Sequence, residues 1–165
     1  MVNSLPELEK LSTELARLLI KEDWTVALAE SCTGGWIAKT LTDLPGSSRW
    51  FELGVVTYSN SAKQKILNVP GSMLASHGAV SEPVAEAMVK GVIELTEANI
   101  GVSVTGIAGP GGGSGRKPVG TVCFGFSHFF KGLRVETQRF SGQRENVRYQ
   151  AVIYALHGLL ADLTE

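Results

Sequence analysis

A chain of 165 residues with 15 Lys and Arg against 16 Asp and Glu carries a net charge of −1, with 19% charged and 44% hydrophobic residues. That is long enough to bury a core without disulfides or metals, and too evenly charged to bind nucleic acid non-specifically, so no nucleic-acid partner is expected. Glycine stands out: 19 residues, seven of them between Gly101 and Gly115.

Cys32 and Cys123 form no CxxC or zinc spacing and are too few for a disulfide framework, which points to a reducing compartment. No basic segment followed by an apolar one opens the chain, and no apolar run nears the ~20 residues of a membrane span. A cytoplasmic protein without a membrane partner is expected. No repeat, low-complexity tail or linker interrupts residues 1–165, read as a single domain.

In chain order, Ser4 and Glu7 have capping-box spacing, and Leu8, Leu11, Leu15, Leu18 and Leu19 follow at helical intervals up to Lys21-Glu22-Asp23. Trp24 to Ala29 reads as a short buried strand. Thr33-Gly34-Gly35 opens a second helix that ends before Pro45, so Glu30 to Gly35 is a strand-to-helix turn. A strand over Phe51 to Tyr58 leads into a short helix from Ser61 to Leu67, broken by Pro70-Gly71. Ser81 and Pro83 start a longer helix through Leu95. Ile100 to Ile107 is a β-branched strand running into the glycine loop. Val119 to Phe126 and Leu133 to Phe140 read as a hairpin, and Gln143 to Leu163 closes the chain as a helix. Strands alternating with helices, then an adjacent strand pair, predict an α/β fold: a three-layer α/β/α sandwich with a mixed central sheet. Sites in such sheets gather beyond the C-terminal strand ends, which collects residues 30–35, 58–63 and 105–115 at one edge.

Ser31 sits where backbone N–H groups of Cys32, Thr33, Gly34 and Gly35 could face a developing oxyanion. The plainer alternative is that Ser31 or Thr33 only caps the second helix. The turn follows the logic of a nucleophile elbow without its G-x-S-x-G pattern. For a base, the histidines are His77, His128 and His157. The last two fall in a hairpin and a helix, leaving His77 open. Lys63 competes, because it follows a strand that ends at the same edge, and a lysine becomes a base when burial lowers its pKa. Cys32 is the other candidate nucleophile, as a helix N-terminus lowers a thiol pKa.

The glycine loop lacks both G-x-G-x-x-G and a P-loop, since Pro118 follows Gly115-Arg116-Lys117. It can still let backbone N–H groups approach an anion such as one phosphate, or be a surface loop. Arg144 and Arg148, one helical turn apart, could hold a phosphate or simply face solvent. No metal-ligand pattern is present, and no metal is expected.

Ala29-Glu30-Ser31-Cys32-Thr33-Gly34-Gly35, Gly46-Ser47-Ser48, Val55 to Asn60 with Lys63, Gly78-Ala79-Val80-Ser81, and Thr105 to Pro110 with Lys117-Pro118-Val119-Gly120 occur in that order. With Phe140-Ser141-Gly142-x-Arg144, they resemble the CinA C-terminal domain family over nearly the whole chain, in its stand-alone form, the nicotinamide-mononucleotide amidohydrolases. The resemblance implies an α/β/α fold, hydrolysis of the nicotinamide mononucleotide carboxamide in pyridine-nucleotide recycling, no cofactor and a homodimer. It also implies a Ser/Lys mechanism, with Ser31 as nucleophile, Lys63 as base, and Tyr58, Ser48 and Thr105 as the polar groups nearest them. Thr33, Gly34, Gly106, Gly109, Gly111 and Arg144 complete the expected substrate site, the glycine loop and Arg144 as 5′-phosphate candidates. Gln143, where an acidic residue is expected, and Leu53, where glycine or a charge is frequent, depart from the family pattern. The rival from another class is a non-catalytic nucleotide-binding or regulatory module in which Ser31 is only a cap. A third reading is a cysteine hydrolase using Cys32 and His77.

Overall fold

The computed structural model describes residues 5–164. Five strands form one mixed sheet in the order β2-β1-β3-β4-β5: β1 Val26–Glu30, β2 Phe51–Val56, β3 Ile100–Gly106, β4 Thr121–His128 and β5 Gly132–Arg139. β1 pairs in parallel with β2 and β3, whereas β4 runs antiparallel to both β3 and β5. The C-terminal ends of β1, β2 and β3 therefore share one edge of the sheet, as the strand-end rule requires.

The helices are α1 Leu5–Glu22, α2 Trp36–Thr42, α3 Asn60–Leu67, α4 Gly71–His77, α5 Glu82–Thr96 and α6 Arg144–Thr164. Alternation along β1 shows how they layer, because successive strand residues face opposite sides of a sheet. Val26 and Leu28 pack with Leu11, Leu15 and Leu19 of α1, Ile37 of α2 and Ala151, Ala155 and Leu159 of α6. Ala27 and Ala29 pack with Leu67 of α3, Leu74 of α4 and Val84, Met88 and Val92 of α5. The small alanines let the second helical layer sit close, and the result is the expected α/β/α sandwich.

The differences from the expected elements are local. The Ser4 cap lies outside the described residues. β1 starts at Val26 and includes Glu30; β2 stops at Val56; and α3 starts at Asn60, capped by Ser59, whose Oγ accepts from the Ala62 N–H at 3.0 Å. Pro70 does not merely break a helix, because it is the N-cap of the short helix α4. That helix buries only Leu74, so it has no periodic apolar face to reveal it in sequence. A 3₁₀ turn over Ser47–Arg49 also precedes β2. Among the described residues no helix is long and apolar enough to cross a membrane.

Candidate active site

β1 ends at Glu30 and the chain turns sharply into α2. Gly34 (φ +62) and Gly35 (φ +93) adopt left-handed conformations that a side chain would strain. The turn is knitted closely: the Ser31 N–H donates to the Val104 carbonyl (2.9 Å), Gly34 N–H to the Ser31 carbonyl (3.0 Å) and Trp36 N–H to the Thr33 carbonyl (3.1 Å). Neither Ser31 nor Thr33 caps α2. The buried Glu30 carboxylate does so, accepting from the N–H groups of Gly35 (3.0 Å), Ile37 (3.2 Å) and Ala38 (2.8 Å). The Gly34 and Gly35 N–H groups are thus committed inside the turn, which corrects the expectation that all four N–H groups of residues 32–35 face a reacting oxygen. Among the described residues, no oxygen accepts from the Cys32 or Thr33 N–H.

Lys63 reaches Ser31 from the neighbouring strand connection. After β2 the chain passes Thr57 and Tyr58, Ser59 nucleates α3, and the fourth residue of that helix turns its side chain back beneath the connection. The Lys63 Nζ lies 3.0 Å from the Ser31 Oγ, 2.8 Å from the Thr57 carbonyl oxygen and 3.4 Å from that of Tyr58. The residue is 1% exposed, and among the described residues it has no carboxylate partner. Burial pulls its pKa below the ordinary lysine value, with Cys32 acting in the other direction. A neutral amine has two N–H bonds and one lone pair. A neutral Lys63 that kept both N–H bonds on the two carbonyls would leave its lone pair facing the Ser31 hydroxyl.

The neighbouring thiol is set differently. Burial, first of all, pushes the Cys32 pKa up to about 12, so the thiol stays protonated at neutral pH. His77 is exposed on α4, and among the described residues no histidine lines the niche around Ser31. The Cys32/His77 reading has no structural support. Gly106, at the end of β3, is the floor on which this thiol rests: an added Cβ would stand 3.1 Å from the Cys32 Sγ and 2.7 Å from the Val122 Cγ2.

Ser31 and Lys63 open into a niche of about 150 Å³ lined also by Tyr58, Ala79, Val80, Thr105, Gly106, Ala108 and Arg144. The Thr105 hydroxyl donates to the Ala79 carbonyl (2.9 Å), pinning the Gly78 to Ser81 turn as one wall. A second, open cleft of about 1160 Å³ shares Ala108 and Arg144 with the niche and continues past Gly34, Gly35, Trp36, Lys39, Pro110 and Arg148. Arg144 stands at the junction, donating to the Tyr58 hydroxyl (3.0 Å) and the Gly109 carbonyl (2.8 Å).

Other expected site residues are placed elsewhere. Ser48 is exposed on the 3₁₀ turn before β2, at the N-terminal edge of the sheet; five residues of β1, roughly 16 Å of strand, separate that edge from Ser31. Thr33 is fully buried, its Oγ1 has no partner among the described residues, and it lines neither cavity. Gly111 is exposed and lines neither cavity, and Gly109 engages Arg144 through its carbonyl. The end of the glycine loop is closed on itself instead, Ser114 N–H to the Lys117 carbonyl (2.8 Å), with Lys117 Nζ on the His77 carbonyl (2.6 Å). Arg148 faces the elbow: its Nε and a terminal nitrogen each donate at 3.0 Å to the carbonyls of Cys32 and Thr33. Glu30, Arg148 and Trp36 were the site residues that sequence reasoning missed or placed otherwise. For Glu30 the one signal was a carboxylate at the buried end of a strand, directly before the turn.

The CinA C-terminal domain matches residues 8–163. The chain belongs to that family. Among its relatives, the nicotinamide-nucleotide amidohydrolases PncC of Enterobacter agglomerans and Escherichia coli K12 are each 50% identical to it, the first covering 94% of both chains and the second 93%. A CinA-like protein of Chlorobaculum tepidum is 49% identical across 94% of this chain but only 38% of its own length, so the family domain also occurs inside longer proteins. Solved family structures superpose closely. The competence/damage inducible protein CihA of Agrobacterium tumefaciens has a TM-score of 0.92 at 39% identity, covering 96% of each chain. A CinA superfamily protein of Klebsiella pneumoniae has a TM-score of 0.90 at 38% identity, covering 94% of this chain and 97% of its own.

Proposed function

We propose that this chain is a serine amidohydrolase that converts nicotinamide mononucleotide to nicotinate mononucleotide and ammonia, as a step in pyridine-nucleotide recycling. The observation that carries the chemistry is the buried Lys63 with its Nζ 3.0 Å from the Ser31 Oγ. The substrate rests on the half-identical relatives named as nicotinamide-nucleotide amidohydrolases and on the shape of the site. A cavity of 150 Å³ holds one benzene-sized ring, which suits the niche to the nicotinamide end. The adjoining cleft, with Arg144 at its mouth, suits the ribose phosphate.

In this mechanism neutral Lys63 takes the Ser31 proton, and Oγ attacks the carboxamide carbon. The oxyanion is received by the Cys32 and Thr33 N–H groups, the two in the turn that no oxygen uses. As the tetrahedral species collapses, the C–N bond breaks and the Lys63 ammonium gives its proton to the leaving nitrogen, which departs as ammonia. Water then loses a proton to Lys63 and attacks the acyl carbon; the ester bond to Oγ breaks and Oγ is reprotonated. The Thr57 and Tyr58 carbonyls keep the amine in place through both half-reactions. The pyridinium charge of the bound substrate favours neutral Lys63 and makes the carboxamide more electrophilic.

The test is ammonia release from nicotinamide mononucleotide by wild type and Ser31→Ala with a chelator present. Release by wild type alone is expected, and hydroxylamine added during turnover should divert the acyl-enzyme to a hydroxamate. Release by Ser31→Ala at the wild-type rate would overturn the nucleophile. Binding without turnover by folded wild type would favour the nucleotide-binding module instead.

A further inference from the structure

The elbow that presents Ser31 is held from two sides by oppositely charged side chains. Glu30 takes N–H groups at its helical end, and Arg148 takes carbonyls at its catalytic end. In a planar trans peptide the C=O and the following N–H point in opposite directions, so fixing one fixes the other. The Ser31 carbonyl is held by Gly34 N–H, which turns the Cys32 N–H away from Gly34. The Cys32 carbonyl is held by the Arg148 Nε at 3.0 Å, which turns the Thr33 N–H away from Arg148. The same guanidinium takes the Thr33 carbonyl at 3.0 Å, and its central carbon lies 5.5 Å from the Trp36 ring centroid. Gly34 leaves it room: a Cβ there would stand 3.1 Å from the Arg148 terminal nitrogen.

We propose that Arg148 is a positioning residue of the Ser31 site: by holding the Cys32 carbonyl it turns the Thr33 N–H, and by holding the Thr33 carbonyl it turns the Gly34 N–H onto the Ser31 carbonyl and so orients the Cys32 N–H, leaving both unclaimed by any oxygen for the oxyanion, with Glu30 bracing the same turn at its other end. This rests on the amidohydrolase reading above. It assigns Arg148 to the rate of the chemical step, although the same side chain also lines the cleft suited to the ribose phosphate. A phosphate ligand and an elbow clamp leave opposite kinetic traces. Loss of a ligand for a non-reacting group raises KM, whereas loss of transition-state geometry lowers kcat.

The experiment compares wild type, Arg148→Ala and Arg148→Lys in two assays: steady-state ammonia release from nicotinamide mononucleotide, and the rate at which an uncharged aryl fluorophosphonate labels Ser31, read by intact-protein mass. A misplacement of about an ångström costs on the order of 100-fold. Arg148→Ala should therefore lose about 10- to 100-fold in kcat and a similar factor in labelling, with KM changed less than about threefold. Millimolar guanidinium chloride should restore part of both rates. Arg148→Lys, whose single ammonium cannot span two carbonyls, should fall between and covers the case of an alanine variant that does not fold. A rise in KM with kcat and labelling unchanged would overturn the proposal and make Arg148 a phosphate ligand. Wild type that takes the label yet releases no ammonia would sink the substrate reading, and the labelling ratio would still decide Arg148.

Discussion

Replacing Lys63 tests whether it acts as a base or merely as a buried cation. The geometry allows one productive arrangement: two N–H bonds on the Thr57 and Tyr58 carbonyls at 2.8 and 3.4 Å and the lone pair on the Ser31 Oγ at 3.0 Å. Lys63→Ala removes the base, and general-base assistance is worth about 100- to 10,000-fold, or about 3 to 5 kcal/mol of barrier. Lys63→Arg keeps a cation but cannot deprotonate, so it should be as slow as the alanine variant. Groups that act as a unit lose their effects non-additively, so Ser31→Ala with Lys63→Ala should be no slower than Ser31→Ala alone. In wild type, kcat/KM should rise with pH along a single ionisation whose midpoint lies below the ordinary lysine value, because burial favours the neutral amine. The assay is coupled detection of ammonia from nicotinamide mononucleotide between pH 6 and 10. An active Lys63→Arg variant, or a double variant slower by the product of the two single losses, would refute the dyad.

Arg144→Ala removes a guanidinium that holds both the Tyr58 hydroxyl and the Gly109 carbonyl at the mouth of the niche; KM for the nucleotide should rise about 10- to 100-fold, the worth of one charged hydrogen bond, and steady-state kinetics would show it. Gly106→Ala places a methyl 2.7 Å from Val122, 3.0 Å from the Thr121 carbonyl and 3.1 Å from the Cys32 sulfur. Overpacking of this kind costs about 1 to 3 kcal/mol, so the urea midpoint and the turnover should fall together. The His128 Nδ1 accepts from the N–H groups of Phe130 and Lys131, both at 3.1 Å, and burial lowers the pKa of its imidazole. The folded chain thus binds that proton less readily than the unfolded chain. Its contribution to stability should be complete above about pH 6.5 and fade as pH falls through the lower folded value. Urea unfolding of wild type and His128→Gln at pH 5 and 7.5 reads that slope, which the variant should lack.

The fold was legible because its elements carry strong periodic signals. The leucines of α1 and the β-branched run of β3 each report burial directly, and the order of helices and strands then leaves few topologies. Placing Ser31 and Lys63 at one edge also followed from strand direction alone. What pattern could not deliver was which atom of each residue would be used. Gly109 contributes a carbonyl rather than an N–H, Thr33 turns its hydroxyl inward, and Glu30 caps from a strand end, outside any capping-box spacing. Arg148 looks in sequence like a second phosphate ligand beside Arg144, because one helical turn separates them. Their targets diverge only once α6 is packed against the elbow, a tertiary fact with no local signature. The motif containing Ser48 is equally clear in sequence, yet the topology puts it before β2 instead of after it, at the edge away from Ser31.

On the proposed mechanism, the composition of the niche accounts for a lysine in place of a histidine as the base. A histidine base is usually oriented by a carboxylate, but the acidic group nearest in sequence, Glu30, is spent on the Gly35 N–H and two N–H groups of α2. Two backbone carbonyls orient Lys63 instead, at no cost in added charge. A carboxylate beside the amine would stabilise the ammonium and raise the pKa that burial lowers. The arrangement therefore separates two duties that a charged partner would combine: carbonyl dipoles fix direction, and desolvation fixes protonation. Introducing an acid at the niche wall, as in Ala79→Asp, should move the midpoint of the rising pH profile upward even if the fold is unchanged. A profile left in place would mean that the titrating base is a group other than Lys63.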